Sequence, residues 1–358
     1  MGGSQSWPAH PDGKTMKALI FEKHGPASDV MRVSTVPVPS EVPEGFVLVK
    51  VHAASLNPID KMRIEGALKS TTPEAVWPAV VGYDLAGCVE KLGDGVELPF
   101  VVGDEVVARI QSSPMLPGTI CEYCIADAKT VAKKPPSISF TDAASIPLAG
   151  ETALQALRRG GVGPGSKVFV SGGAGGVGSF AIQIAKALGA ETVATTASPG
   201  EKTELCKSLG ADIVVNYRDE KFEEMLKDYD FAFDTTHESA KMIQIVKANA
   251  GKKVITISDT PTVQSLEEIG MKPNFIVKAV LNMKKNKAAD AAATAAGVEW
   301  LFLFLKTNGE DLAQLLQWVV EGKLKPIIDN VWSLDEAVAA AERNFSGRAK
   351  GKCVVKVI

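Results

Sequence analysis

A doubly wound parallel α/β sheet inserted into an all-β, barrel-type unit is the fold class this sequence predicts, on three observations. In the middle of the chain, short apolar strands alternate with helical patterns, as in GSKVFVSGG (165–173), VGSFAIQIAKALGA (177–190), ETVATTAS, PGEKTELCKSLGA (199–211) and DIVVNY. That alternation means βαβ units around a parallel sheet. Before it, MKALIFEKH (16–24), FVLVKVHAAS (46–55), VVGYDLAGCVEKLG (80–93) and VVGDEVVARI (101–110) are short strands broken by Gly and Pro, without helical period, as in compact β-barrels. After it, two helical patterns, EDLAQLLQWVVEG and LDEAVAAAERNF, lead to a last strand, CVVKVI, expected to rejoin the first unit. The expected division is a flexible arm at 1–15, an all-β unit of 16–140 with 295–358, and a parallel-sheet unit of 141–294.

A chain of 358 residues has room for two cores. Hydrophobic residues make up 46% and charged residues 23%, which is ordinary for a globular protein. A net charge of −3 supplies no basic field for nucleic acid, whose binding rests on many phosphate-neutralising cations. No apolar run approaches the twenty residues a membrane span needs; VEWLFLFL (298–305) is the strongest. The start MGGSQS matches a myristoylation pattern at Gly2, although one acyl chain without a basic patch holds a membrane only marginally. Residues 1–15 contain one lysine and no arginine, so no organellar address is legible and a cytoplasmic location is expected. The odd number of cysteines, at 88, 121, 124, 206 and 353, points to free thiols in a reducing compartment.

The sharpest motif is G-x-G-x-x-G at Gly173, Gly175 and Gly178, directly after a strand and opening a helix. There the glycines permit a tight turn and close approach to a pyrophosphate, which the helix N-terminus receives; Gly176 and Val177 complete the loop. A site for NAD usually places an acid at the end of the next strand to bind the ribose 2′-hydroxyl. Here that strand ends in Ser198, with Thr196 before it and Lys202 after it. Hydroxyls and a lysine without the acid favour a 2′-phosphate, and so NADPH; Lys202 taken alone is equally a solvated helix residue. Tyr217, at the end of DIVVNY, reads either as packing on the adenosine side or as a core cap.

The four histidines, at 10, 24, 52 and 237, have no metal-ligand spacing, and the C-x-x-C of Cys121 and Cys124 supplies only two of four tetrahedral ligands. Packing is the preferred reading of that pair over zinc or a redox couple. The alanine-rich run ADAAATAAG reads as a close-packing helix. With no second cofactor motif and no G-x-S-x-G elbow, the remaining chemistry is hydride transfer from a nicotinamide to a polarised acceptor.

Taken together, ASLNPIDKMRIEG (54–66), VVGYDLAGCVEKLG, VGDEVVARI (102–110), ASIPLAGETALQAL (144–157), SGGAGGVGSFAIQIAKALGA (171–190), SLGADIVVNY (208–217) and GKLKPIID (322–329) resemble the zinc-free quinone oxidoreductases (zeta-crystallin-like) of the medium-chain dehydrogenase/reductase superfamily. The branch most similar is the plant-type enone/2-alkenal reductases. The resemblance implies a GroES-like catalytic domain, a Rossmann domain, a cleft between them, and a homodimer. Where zinc-dependent relatives carry a cysteine ligand and a His-Glu pair, this chain has Asn57, and Tyr83 with Asp84; the lobe with four closely spaced cysteines is absent. The resemblance places Asn57, Asp60, Lys61, Tyr83 and Thr152 at the nicotinamide and substrate end. Asn57 and Tyr83 are expected donors to an acceptor carbonyl, Lys61 an electrostatic helper, Asp60 a pocket residue that could equally lock a turn, and Thr152 a neighbour of the nicotinamide amide. Arg348 is a candidate for the phosphate pocket, and the segments 111–118 and 275–286 are candidates for walls of the substrate pocket. The implied activity is NADPH-dependent reduction of a quinone or of an activated carbon–carbon double bond. The alternatives are a quinone-specific reductase, an alcohol dehydrogenase (disfavoured without zinc or an acid–base relay), and a non-enzymatic NADPH-binding structural or RNA-associated protein.

Overall fold

A computed structural model describes residues 5–6, 10–69, 76–96, 100–111, 118–246 and 251–358. Gly2 and most of the 111–118 segment lie outside the described residues. Strands β1 (Gln5–Ser6), β2 (Thr15–Phe21), β3 (Met31–Pro37), β4 (Phe46–Leu56), β5 (Val76–Trp77), β6 (Ala79–Val80), β7 (Asp84–Leu92), β8 (Glu105–Arg109), β9 (Tyr123–Asp127) and β10 (Val131–Lys133) come first. Then β11 (Lys167–Val170), β12 (Thr192–Ala197), β13 (Ile213–Asn216), β14 (Phe231–Asp234), β15 (Lys253–Thr256) and β16 (Glu299–Phe302) alternate with helices, and β17 (Ile328–Ser333) and β18 (Lys352–Lys356) close the chain.

The chain divides into two compact units, Met1–Glu151 with Thr307–Ile358, and Thr152–Lys306. Both junctions fall later than the expected 140/141 and 294/295, for local reasons. The helix Pro147–Arg159 begins in the first unit, where the Leu148 N–H donates to Asp84. At the other junction, the apolar run at 298–305 supplies β16, which adds to the parallel sheet beside β15. The N-terminal arm also differs from expectation: β1 pairs in parallel with β5, and Thr15 already belongs to β2.

In the first unit, β10, β8, β7, β4, β18 and β17 lie side by side, with β9 also pairing β4; β3, β2 and β6 form a smaller sheet. The long β4 organises this unit, because its apolar residues Val47, Val49, Val51, Ala54 and Leu56 are buried in one core with Leu85, Val106, Ile120 and Val355. The last strand returns to it: β18 is antiparallel to β4, with Cys353 opposite Leu56 and Val354 opposite Ser55. This pairing delivers Lys352 to the end of β4, where the chain enters the helix Pro58–Ile64.

The second unit is a six-stranded, all-parallel sheet in the order β13-β12-β11-β14-β15-β16. That order turns back on itself at β11, so the loop leaving β11 stands at the topological switch point where such sheets bind ligands. Phe169 stacks on Phe222 at 4.6 Å within this core. The alanine-rich helix Lys287–Ala296 buries Ala289 and Ala293 in the same core, which is the close-packing role its small residues suit.

Candidate active site

In the first unit, the end of β4 carries a buried polar cluster. Asn57 caps the helix Pro58–Ile64, and its backbone N–H donates to Asp60 at 2.8 Å. The other Asp60 oxygen accepts from the Gly82 N–H at 3.1 Å. Gly82 has φ +106, and a Cβ there would run into Thr119 and Ile120, so only glycine fits this turn. Asp60 is therefore a clamp between the helix start and the turn before β7. Burial pushes its carboxyl up to about 7, reinforced by Asp84 and opposed by the Asn57 N–H, Arg63 and Lys352.

Asp84, fully buried at the start of β7, gathers the rest. Its Oδ2 accepts from Ser55 Oγ at 3.0 Å and from Asn57 Nδ2 at 2.9 Å, and lies 3.5 Å from Lys352 Nζ. Lys352 Nζ also donates to the Leu56 carbonyl at 3.0 Å and to Asn57 Oδ1. Tyr83, buried between these acids in sequence, has the guanidinium groups of Arg63 and Arg109 each 5.9 Å from its ring centroid. Lys61 stands one helical turn beyond Asn57, with its side chain 43% exposed and Glu65 at 3.9 Å. The structure thus brings Asn57, Asp60 and Asp84 together in a buried floor and leaves Lys61 reaching solvent.

Arg109 continues the network, donating to Thr307 Oγ1. Glu151 accepts the Asn308 N–H at 2.9 Å, while its other oxygen is buried with no hydrogen-bond partner among the described residues. Burial pushes the Glu151 carboxyl up to about 8; Asp84 and Asp311 add to this, while the Asn308 N–H and Arg109 oppose it. Sequence reading missed Lys352, Arg109 and Glu151. The only local signal for Lys352 is a lysine opening an otherwise apolar strand, KCVV.

In the second unit, β11 ends in the glycine loop. Gly172 turns at φ +64, with its N–H donated to Thr196 Oγ1 at 2.9 Å, and Gly173 N–H donates to the Thr196 carbonyl at 3.0 Å. Thr196 is buried, and its hydroxyl braces the loop from β12 by accepting the Gly172 N–H. A Cβ on Gly173 would meet Thr195, and one on Gly178 would meet the Gly172 carbonyl. Gly175 begins the helix Gly176–Ala187 and no side chain caps it. A twelve-residue helix with no side-chain cap at its start, behind a glycine-rich loop, fits the pyrophosphate of a dinucleotide. Ser198 and Lys202 flank Gly200 (φ +84) after β12, with Lys202 in the first turn of the helix Glu201–Ser208. Tyr217 is 55% exposed just beyond β13, so the core-cap reading fails. Thr152 is buried on the helix Pro147–Arg159. Arg348 belongs to the first unit, in the turn after the helix Ala337–Phe345, where its carbonyl accepts from Arg343.

Cys121 and Cys124 are both buried. Cys121 donates to the carbonyls of Gly118 and Tyr123, and burial pushes the Cys124 thiol well above its ordinary value. These are packing thiols. Among the described residues, no group of three or more His, Cys, Asp or Glu is placed to hold a metal ion.

Family models match three segments: "Alcohol dehydrogenase GroES-like domain" over 43–136, "Alanine dehydrogenase/PNT, C-terminal domain" over 147–250, and "Zinc-binding dehydrogenase" over 209–355. The tomato (Solanum lycopersicum) 2-methylene-furan-3-one reductase is 36% identical over 96% of this chain and 79% of its own. The Arabidopsis thaliana NADPH-dependent alkenal/one oxidoreductase, chloroplastic, is 35% identical over 88% of this chain and 72% of its own. The chain belongs to the zinc-independent quinone and enone oxidoreductases of the medium-chain dehydrogenase/reductase superfamily. Solved structures agree on this fold. A quinone oxidoreductase from Coxiella burnetii matches with TM-score 0.79 and 32% identity, over 96% of this chain and all of that one. A mycobacterial protein solved in complex with NADPH matches with TM-score 0.75 and 25% identity, over 96% and 100%.

The neighbours of this reductase correct one expectation. The mouse (Mus musculus) NAD(P)H oxidoreductase RTN4IP1, 30% identical over 96% of this chain and 89% of its own, is mitochondrial by name, and the Arabidopsis relative is chloroplastic. The cytoplasmic location expected from the lysine and arginine content of residues 1–15 is overturned, because organellar relatives share this fold and sequence across nearly the whole chain.

Proposed function

We propose that this chain reduces the carbon–carbon double bond of an α,β-unsaturated carbonyl with NADPH, and takes quinones as a second class of acceptor. NADPH, when bound, supplies a hydride. The fit for it in this chain is the uncapped helix start behind Gly173, Gly175, Gly176, Val177 and Gly178, with Lys202 and Ser198 for the 2′-phosphate. Tyr217 packs on the adenosine side in this reading, and Thr152 meets the nicotinamide amide.

The observation that supports the proposal is the buried polar cluster at the end of β4, where Asn57 is held between Asp84 and Lys352. In this reading the Asn57 amide, the Tyr83 phenol and the Lys61 ammonium are the donor set. Hydride addition to a carbonyl carbon builds a localised alkoxide, which calls for a Lewis acid or a proton relay. Addition to the far end of an enone spreads the charge over an enolate, which hydrogen-bond donors can hold. In this reading Asn57 and Tyr83 donate to the acceptor oxygen, and Lys61, on the same helix face as Asn57 by its i, i+4 spacing, adds positive charge. The two relatives with the highest identity quoted above are an enone-type and an alkenal/one reductase, which supports the double bond over the quinone. The proposed assembly is a homodimer, on the strength of the family resemblance. The net charge of −3 supports no nucleic-acid partner, and no helix among the described residues is long and apolar enough to cross a membrane.

The test is steady-state NADPH oxidation by the purified chain, with an α,β-unsaturated ketone and with 1,4-benzoquinone. A kcat/KM at least about tenfold higher for the enone is expected, with Tyr83→Phe lowering it by about tenfold or more. Turnover of the quinone alone would overturn the double-bond reading, and an unchanged Tyr83→Phe would remove Tyr83 as a donor.

A further inference from the structure

We infer that Lys352 is a positioning residue of the reductase, acting through Asn57 by fixing which way the asparagine amide points. The inference rests on the reading of Asn57 as a donor and extends it to a residue almost three hundred positions away in sequence.

The geometry is a three-membered grip. Lys352 Nζ donates to Asn57 Oδ1, and Asn57 Nδ2 donates to Asp84 Oδ2 at 2.9 Å. Asp84 itself stays in place through Ser55 Oγ at 3.0 Å and the Leu148 N–H at 3.0 Å. Lys352 is held by the Leu56 carbonyl at 3.0 Å, and Asp84 Oδ2 lies 3.5 Å from it. All three side chains are buried.

An asparagine amide has two nearly isosteric orientations that differ by exchange of its oxygen and nitrogen. Here they differ in energy. In the observed one, oxygen faces an ammonium and nitrogen faces a carboxylate. In the other, the NH2 group would face the ammonium and the oxygen the carboxylate, two repulsive contacts in a site that water does not screen. One Nδ2 hydrogen is spent on Asp84, so the direction of the second follows from the same lock. The Lys352 cation therefore settles where Asn57 offers its remaining N–H, without touching an acceptor itself. Pairing also explains how a lysine is tolerated under the barrel surface: three acceptors, one of them charged, replace its hydration.

The experiment is a double-mutant cycle on the full chain with NADPH and the α,β-unsaturated ketone, using Asn57→Ala, Lys352→Met and both together. Lys352→Met is expected to lower kcat about tenfold or more, leaving KM for NADPH within about twofold, and to cost less than about twofold when Asn57 is already alanine. Lys352→Met leaves Asp84 buried without its cation, so Asp84→Asn/Lys352→Met, which removes both charges, is measured alongside as the variant expected to stay folded. It is expected to show the same fall in kcat with a cooperative melting transition. If Asn57→Ala leaves kcat unchanged, the donor reading of Asn57 fails and this inference falls with it. If Asn57→Ala lowers kcat but the two losses multiply, the donor reading stands and the role of Lys352 through Asn57 is wrong. A neutral pair with wild-type kcat would also overturn it.

Discussion

Two buried carboxyls contribute to the pH dependence of this molecule's stability. Asp60 and Glu151 are held up to about 7 and about 8, in both cases chiefly by burial. The folded state therefore keeps protons on these groups over a pH range in which the unfolded chain has already lost them. Stability contributed by the protonated forms is fully present below the ordinary carboxylate range and is lost as pH rises through about 7 to 8, by at most a few kcal/mol per group. Thermal melting of the wild type is expected to fall between pH 5 and pH 9, with Glu151→Gln making the fall shallower. Parallel curves for the two proteins would show that Glu151 does not titrate as its burial requires. In the proposed site, cofactor choice also turns on single side chains. With Ser198 and Lys202 where an acid would favour NAD, Lys202→Glu is expected to lower the NADPH-to-NADH ratio of kcat/KM about tenfold or more. An unchanged ratio would return Lys202 to the solvated helix surface.

Among the elements, the two turns that build the site differ in how visible they are in the sequence. The β11 loop was legible because its demands are local: glycines at 173, 175 and 178 sit between one strand and one helix, and the motif needs no distant partner. What stayed hidden there was the contact by which the Thr196 hydroxyl braces Gly172 from a strand 24 residues on. The turn before β7 depends on Gly82, whose N–H is clamped by Asp60 and whose missing Cβ makes room for Thr119. Gly82→Ala forces a disfavoured φ and a collision together, and is expected to lower stability by about 3 kcal/mol or more. Denaturant unfolding checks this, and a loss below about 1 kcal/mol would mean that the turn can shift away from Thr119 at little cost.

Across the whole molecule, the insertion of a parallel-sheet unit into a β-rich unit was readable from the change of period and from the closing strand CVVKVI. The junctions were displaced because a helix and a strand each continue past the point where the pattern changes. In the buried floor of the site, Asn57, Asp60 and Asp84 were named through the resemblance, but their cation was not legible. Lys352 meets Asp84 across 268 residues and Asn57 across 295, and no local pattern encodes a contact that exists only once β18 has returned to β4.

The most direct measurement is the fate of deuterium from NADPH labelled at the transferable position, followed by mass spectrometry and NMR of the product from an α,β-unsaturated ketone. One deuterium at the β-carbon of the saturated ketone is the expected result. Deuterium at the carbinol carbon of an allylic alcohol, or an unlabelled product, would contradict direct hydride delivery to the double bond.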